Sequence, residues 1–116
     1  MRYLTEKTGG NIHDNGTIFI ESKTMNSDQH HPKNLVDYND ESKFYHSQNT
    51  PGNEICFDFK DRSIQLTDYT IKSYCLGSNY GHLKDWVIEV SNNKTNWIVI
   101  DNHSNDQTLN GSSIIA

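Results

Sequence analysis

The sequence predicts an all-β antiparallel fold, a sandwich or a barrel, and three observations predict it. From Leu83 to Asp101 two apolar runs, each led by a tryptophan, flank the polar break Ser91-Asn92-Asn93-Lys94-Thr95-Asn96. In the first run Trp86, Ile88 and Val90 share one face and Val87, Glu89 and Ser91 the other, the period of two that marks a half-buried strand. Asn tolerates positive φ and bonds its own backbone, so the break reads as a hairpin turn. Ile55-Cys56-Phe57-Asp58-Phe59 alternates as cleanly, with Ile55, Phe57 and Phe59 on one side. No segment keeps a helical 3.6-residue period over three turns, and short strands separated by loops along the full length suit an antiparallel sandwich or barrel.

Turn signals at Thr8-Gly9-Gly10-Asn11 and His13-Asp14-Asn15-Gly16 precede a short strand, Thr17-Ile18-Phe19-Ile20-Glu21. A polar loop, 22–33, closes with His30-His31-Pro32-Lys33, and Asn34-Leu35-Val36-Asp37-Tyr38 is a brief apolar step. A second loop, 39–54, holds Phe44 and Tyr45. After the strand at Ile55, Lys60-Asp61-Arg62 turns into Ser63-Ile64-Gln65-Leu66, and Tyr69-Thr70-Ile71-Lys72-Ser73 makes a further strand. A third loop, 74–82, leads into the hairpin, and a polar stretch, 102–111, ends in Ile114-Ile115-Ala116. Six or seven strands result, and the last begins where the sequence stops. The length, 116 residues, suits one domain, 1–116.

The core must be lean, because apolar residues make up 33% of the sequence and Leu, Ile, Val and Phe number 25 of 116. Fourteen Asn fall mostly between the apolar runs. A net charge of −5 with scattered Lys and Arg argues against sequence-independent nucleic-acid binding and against docking on anionic lipid. No stretch approaches the roughly 18 apolar residues of a transmembrane helix. The start, Met1-Arg2-Tyr3-Leu4-Thr5-Glu6, has no signal-peptide pattern, so Cys56 and Cys75 are expected as reduced thiols in a cytoplasmic protein.

Four segments, in order, resemble the discoidin family, the coagulation factor five/eight type C domains. His31-Pro32-Lys33-Asn34-Leu35-Val36-Asp37 is similar to its early Asn-x-x-Asp step, and Glu54-Ile55-Cys56-Phe57-Asp58-Phe59 to its alternating strand that ends near an Asp. Ile64 to Ile71 resembles its next pair of strands, and Trp86-Val87-Ile88-Glu89-Val90-Ser91-Asn92 with Trp97 resembles its diagnostic tryptophan hairpin. The resemblance covers about residues 17–116. It implies a jelly-roll sandwich, discoidin or galactose-binding-domain-like. Glu54 stands where the family has an aromatic, Asn93 where it has Asp or Gly, and the paired terminal cysteines are absent, as in intracellular members. The family's final two strands have no counterpart, so the resemblance implies an incomplete domain or a piece of a longer adaptor-type protein.

Trp86 and Trp97, at strand starts with apolar neighbours, are expected in the core rather than stacked on a ligand. Asp58 is expected to bond nearby loop backbone, as its counterpart in the resembling family does. Six His occur without Cys-x-x-Cys or His-x3-His spacing, which argues against structural zinc. Some sugar-binding relatives hold calcium with the Asn-x-x-Asp loop, which points to Asp37 and Asp40 as a partial calcium set and to no other cofactor. Cys75 near His82 lacks any signature of a nucleophile with its base, so no enzyme activity is expected.

In the resembling family, ligands bind where loops cluster at one end of the sandwich, which makes physical sense because a rigid scaffold supports variable loops. Here those loops are 22–33, 39–53 and 74–82, and their candidate ligand-binding residues are Met25, His30, His31, Tyr45, His46, Tyr74, Tyr80 and His82. Tyr supplies contact area and a hydroxyl at low entropic cost. The expected function is therefore a non-catalytic binding module for a protein partner, with lectin-like, calcium-assisted carbohydrate binding as the alternative. Membrane docking is not expected, since the first loop offers only Met25 amid Asp28 and Gln29.

Overall fold

Four short strands in two antiparallel pairs, one short helix and two 3-10 turns make up the regular structure of the described residues, which are mostly β where they are regular. The structure, a computed structural model, describes residues 1–37, 40, 42–73, 83–111 and 114–116. It divides into two compact units, residues 1–65 and 66–116.

In the first unit, helix α1 (Arg2–Thr8) is followed by strand β1 (Phe19–Ser22), 3-10 turns at Asp28–His30 and Pro32–Val36, and strand β2 (Ile55–Asp58). β1 and β2 pair antiparallel, with Ile20 opposite Phe57 and Glu21 opposite Cys56. Alternation decides the packing. Ile18 and Ile20 turn inward and join Ile12 and Val36 in a fully buried cluster, against which Leu4, Phe57 and Phe59 pack. Phe19 and Glu21 consequently face outward. Ile55, expected on the inner face with Phe57 and Phe59, is instead exposed because it lies at the end of the ladder, opposite Ser22. The brief apolar step at Asn34 is a 3-10 turn rather than a strand, since Pro32 presets its first φ and the His31 imidazole caps it.

Asn side chains organise the approach to β1. Asn11 accepts from the backbone N–H of His13 and Asp14 and donates to the Lys33 carbonyl, while Asn15 accepts both the N–H and the hydroxyl of Thr17. Gly16, at φ +79°, makes a turn that a side chain would strain, and its carbonyl accepts from Lys60 Nζ at 2.7 Å. α1 is only seven residues long, too short for the three-turn periodicity that marks a helix in the sequence, and none of its residues is buried.

In the second unit, strands β3 (Trp86–Val90) and β4 (Ile98–His103) form the expected hairpin. Trp86 and Ile88 are half-buried while Val87 and Glu89 are exposed, as the alternation predicts. The turn differs in its mechanics. Positive φ falls on Lys94 rather than on an Asn, and the Asn93 side chain accepts from the N–H groups of Thr95 and Asn96 while Ser91 Oγ accepts from those of Asn93 and Lys94. A bulge shifts the register: Ile88 opposes Asp101 and Glu89 opposes Val99, which leaves Ile100 as the extra residue.

The core assignment of Trp97 is corrected, and Val90 departs from the half-buried face that it shares with Trp86 and Ile88. Trp97 is 45% exposed because it precedes β4, outside the ladder, and Val90, at the turn end of β3, is exposed too. Ile98, Val99 and Ile100 are also exposed. The expected strand at 63–66 has no ladder, and Ile64 and Leu66 are exposed. That at 69–73 contributes a single bridge, Lys72 to Ile115, flanked by backbone bonds between Ile71 and Ala116 and between Ser73 and Ile114. The last residues therefore do pair as a strand would.

Candidate functional site

An open cleft of about 420 Å³ lies over the outer face of β1 in the first unit. His13, Phe19, Met25, His31, Pro32 and Gln48 line it. Each is placed by the local folding just described. The buried pair Ile18 and Ile20 forces the intervening Phe19 outward, where it stacks on His13 with ring centroids 5.5 Å apart. His13 sits in the Asn11 turn, and its Nδ1 accepts the backbone N–H of Ile20 at 3.0 Å. His31 caps the 3-10 turn, its Nδ1 accepting the Lys33 N–H at 3.0 Å. The two imidazoles lie 5.2 Å apart. Burial holds the His31 imidazole below its ordinary pKa of 6.5, and the neighbouring His13 and Lys33 push it the same way.

Two of the expected loops converge on this cleft and are laced together. Tyr45 donates its hydroxyl to the Thr24 carbonyl at 2.7 Å, Thr24 Oγ1 donates to the Asn53 side chain, and Gln48 N–H donates to Thr24 Oγ1. Asn26 pairs with His46 through backbone and side chain. Asn34, 9% exposed, sends both amide protons to the carbonyls of Gln29 and Phe44, at 2.8 and 2.9 Å. His30 stacks on Phe44 at 4.6 Å and bonds Ser27, so it braces the loops and does not line the cleft.

Of the residues expected from sequence, the structure thus brings Met25 and His31 to the cleft and sets Tyr45, His30 and His46 in its supporting rim. Tyr74, Tyr80 and His82 lie outside the described residues, as does Cys75. His13, Phe19, Pro32 and Gln48 were not expected. The outward position of Phe19 between two inward isoleucines was the readable signal, whereas nothing in the sequence joins His13 to His31.

The expected calcium pair is otherwise engaged. Asp37 accepts from Lys43 Nζ at 2.9 Å, and Asp40 accepts from the N–H and hydroxyl of Ser42, which hold its carboxyl below the usual range. Among the described residues no three His, Cys, Asp or Glu gather as a metal site would require. Asp58 accepts the Lys60 N–H at 2.8 Å, bonding nearby loop backbone as expected.

The second unit carries a different constellation. His103 Nδ1 lies 2.6 Å from Asp106 and its Nε2 3.1 Å from Asp101, while its ring stacks on Trp86 at 4.1 Å. Tyr69 donates to Asp101 and accepts from Trp86 Nε1 at 3.2 Å. The hydrogen bond to Asp106, followed by that to Asp101, raises the His103 pKa, and bonds from Thr108 and then His103 draw the Asp106 carboxyl down to about 2. These groups take one another as partners, which makes the constellation a brace between Tyr69 and the hairpin. Comparison of the whole sequence and structure with family models, curated proteins and solved structures finds no match.

Proposed function

We propose that the protein is a non-catalytic binding module that recognises a protein partner through the loop end of its first unit, on a discoidin-like jelly-roll plan. One observation carries the reading. Two loops, fixed to each other by the bonds of Asn34, Tyr45 and Thr24, frame an open cleft into which an exposed aromatic, a methionine and two imidazoles are turned. A preorganised concavity with apolar area and a few fixed polar groups is the usual form of a recognition site. The discoidin-like plan draws support from β1, β2 and β3, which occupy segments within the stretch of resemblance.

Affinity capture from cell extract, wild type against Phe19→Ala plus Met25→Ala, tests the function. Specific captured proteins should be lost in the double variant, and an unchanged set sinks the reading. Carbohydrate is the second reading, favoured by the exposed ring of Phe19 on the cleft. A glycan array run with calcium and with chelator separates it from the first.

A further inference from the structure

Two histidines that share a cleft invite a metal, yet the hydrogen bonds to these two argue for the opposite chemistry. A neutral imidazole has one N–H and one lone pair. In both His13 and His31 the Nδ1 lone pair is already occupied by a backbone N–H, that of Ile20 in one case and of Lys33 in the other. The ring proton must then sit on Nε2. A metal would need a lone pair there, and supplying one means giving up a bond to the backbone of the core strand or to the cap of the 3-10 turn. Burial, with His13 and Lys33, favours neutral over charged His31, which keeps this tautomer in place at neutral pH.

Nδ1 and Nε2 lie on opposite sides of the ring. An imidazole anchored to backbone through Nδ1 therefore aims its Nε2–H away from that backbone. The rings are 5.2 Å apart and both residues line the cleft, which sets two donor-bearing imidazoles beside one small space. Lys23 and one acidic residue, Glu21, also line the cleft, and the Lys23 ammonium lies over Gly52, outside the lining. The Gln48 amide is turned to the Met25 carbonyl instead. Phe19, Met25 and Pro32 supply apolar surface beside the donors.

We propose that this cleft binds a carboxylate carried on an apolar peptide residue, with the Nε2–H groups of His13 and His31 as its paired donors. A carboxylate is acceptor-only and has two oxygens for two donors, and the adjoining apolar wall suits the side chain next to it. The inference rests on the protein-binding reading and specifies which chemical group of the partner enters the cleft. The free carboxyl end of a polypeptide and an acidic residue within one share this chemistry.

The test is nuclear magnetic resonance of the full-length protein with 15N-labelled histidine. The free protein should show the Nε2–H tautomer for His13 and His31 at pH 7.5. Titration with N-acetyl-leucine should shift both Nε2 signals saturably. N-acetyl-leucinamide, in which an amide replaces the carboxylate, should bind at least tenfold more weakly, and N-acetyl-aspartate with its α-carboxyl amidated shows whether an internal acidic residue serves as well. His31→Gln, which can still donate, should retain part of the binding that His31→Leu loses. An Nδ1–H tautomer in the free protein, or equal shifts from acid and amide, overturns the proposal. If the captured partner is lost with Phe19→Ala plus Met25→Ala but N-acetyl-leucine shifts nothing, the carboxylate assignment fails while the binding-module reading stands.

Discussion

Replacing Asn34 by Asp changes one NH2 group for an oxygen and nothing else in shape, and the structure says it should cost the first unit much of its stability. Both amide protons of Asn34 go to carbonyls in different loops, Gln29 at 2.8 Å and Phe44 at 2.9 Å, and the residue is 9% exposed. Each bond contributes about 1 kcal/mol net, and a buried partner left unpaired costs roughly 1–3 kcal/mol, so Asn34→Ala should lose about 2–4 kcal/mol. Asn34→Asp should lose more at pH 7, because it sets an anion against two carbonyl oxygens. For a unit of this size that lowers Tm by about 10 °C or more. The introduced carboxyl has its pKa raised in the folded state, so part of the loss should be recovered as pH falls and a proton becomes available to donate. Urea unfolding followed through the amide signals of Ile18 and Ile20 reads the first unit directly. A midpoint for Asn34→Asp within about 0.5 kcal/mol of wild type would refute the reasoning that this side chain laces the loops.

Other outcomes follow from the same geometry. Ile20→Ala, at a site 1% exposed, should destabilise by about 2–5 kcal/mol in the same assay. Trp97→Ala, which removes a larger but exposed ring, should stay within about 0.5 kcal/mol on the second unit's unfolding curve. Tyr45→Phe loses only the bond to the Thr24 carbonyl, about 1 kcal/mol, and should speed amide exchange in residues 22–26 without altering β3 and β4. In the second unit, His103 has a raised pKa, so its contribution is full below the ordinary value of 6.5 and fades as pH rises through the folded value. Asp106, lowered from 3.8 to about 2, contributes above 3.8 and fades as pH falls toward 2. Thermal unfolding of this unit should therefore be most resistant between those ordinary values, and His103→Gln should remove the loss on the alkaline side.

What the sequence shows well is whatever alternation alone decides. β1, β2 and β3 lie where apolar and polar residues take turns, and the inward Ile18 and Ile20 and the half-buried Trp86 and Ile88 follow the same rule, whereas β4 opens with three apolar residues in a row. Alternation does not say whether a partner strand exists. Ile64 and Leu66 carry a strand pattern without a ladder, and Trp97 stands just before one. The candidate cleft was half legible. Met25 and His31 could be found from loop position, but His13 reaches the cleft through bonding to the Ile20 backbone, and no local pattern announces that. The many Asn, which suggested loops in general, are specific clamps at Asn11, Asn15, Asn34 and Asn93.

The contact between Trp86 and His103 has an optical consequence. An indole ring lying nearly parallel to an imidazole, at 4.1 Å and 11°, is placed for excited-state quenching, and a protonated imidazole is the stronger quencher. With Trp97 exposed, a Trp97→Phe protein would report through Trp86 alone. Its emission should brighten as the imidazolium between Asp101 and Asp106 loses its proton, so that the hairpin contains its own gauge of that ionisation, readable in dilute solution without any label.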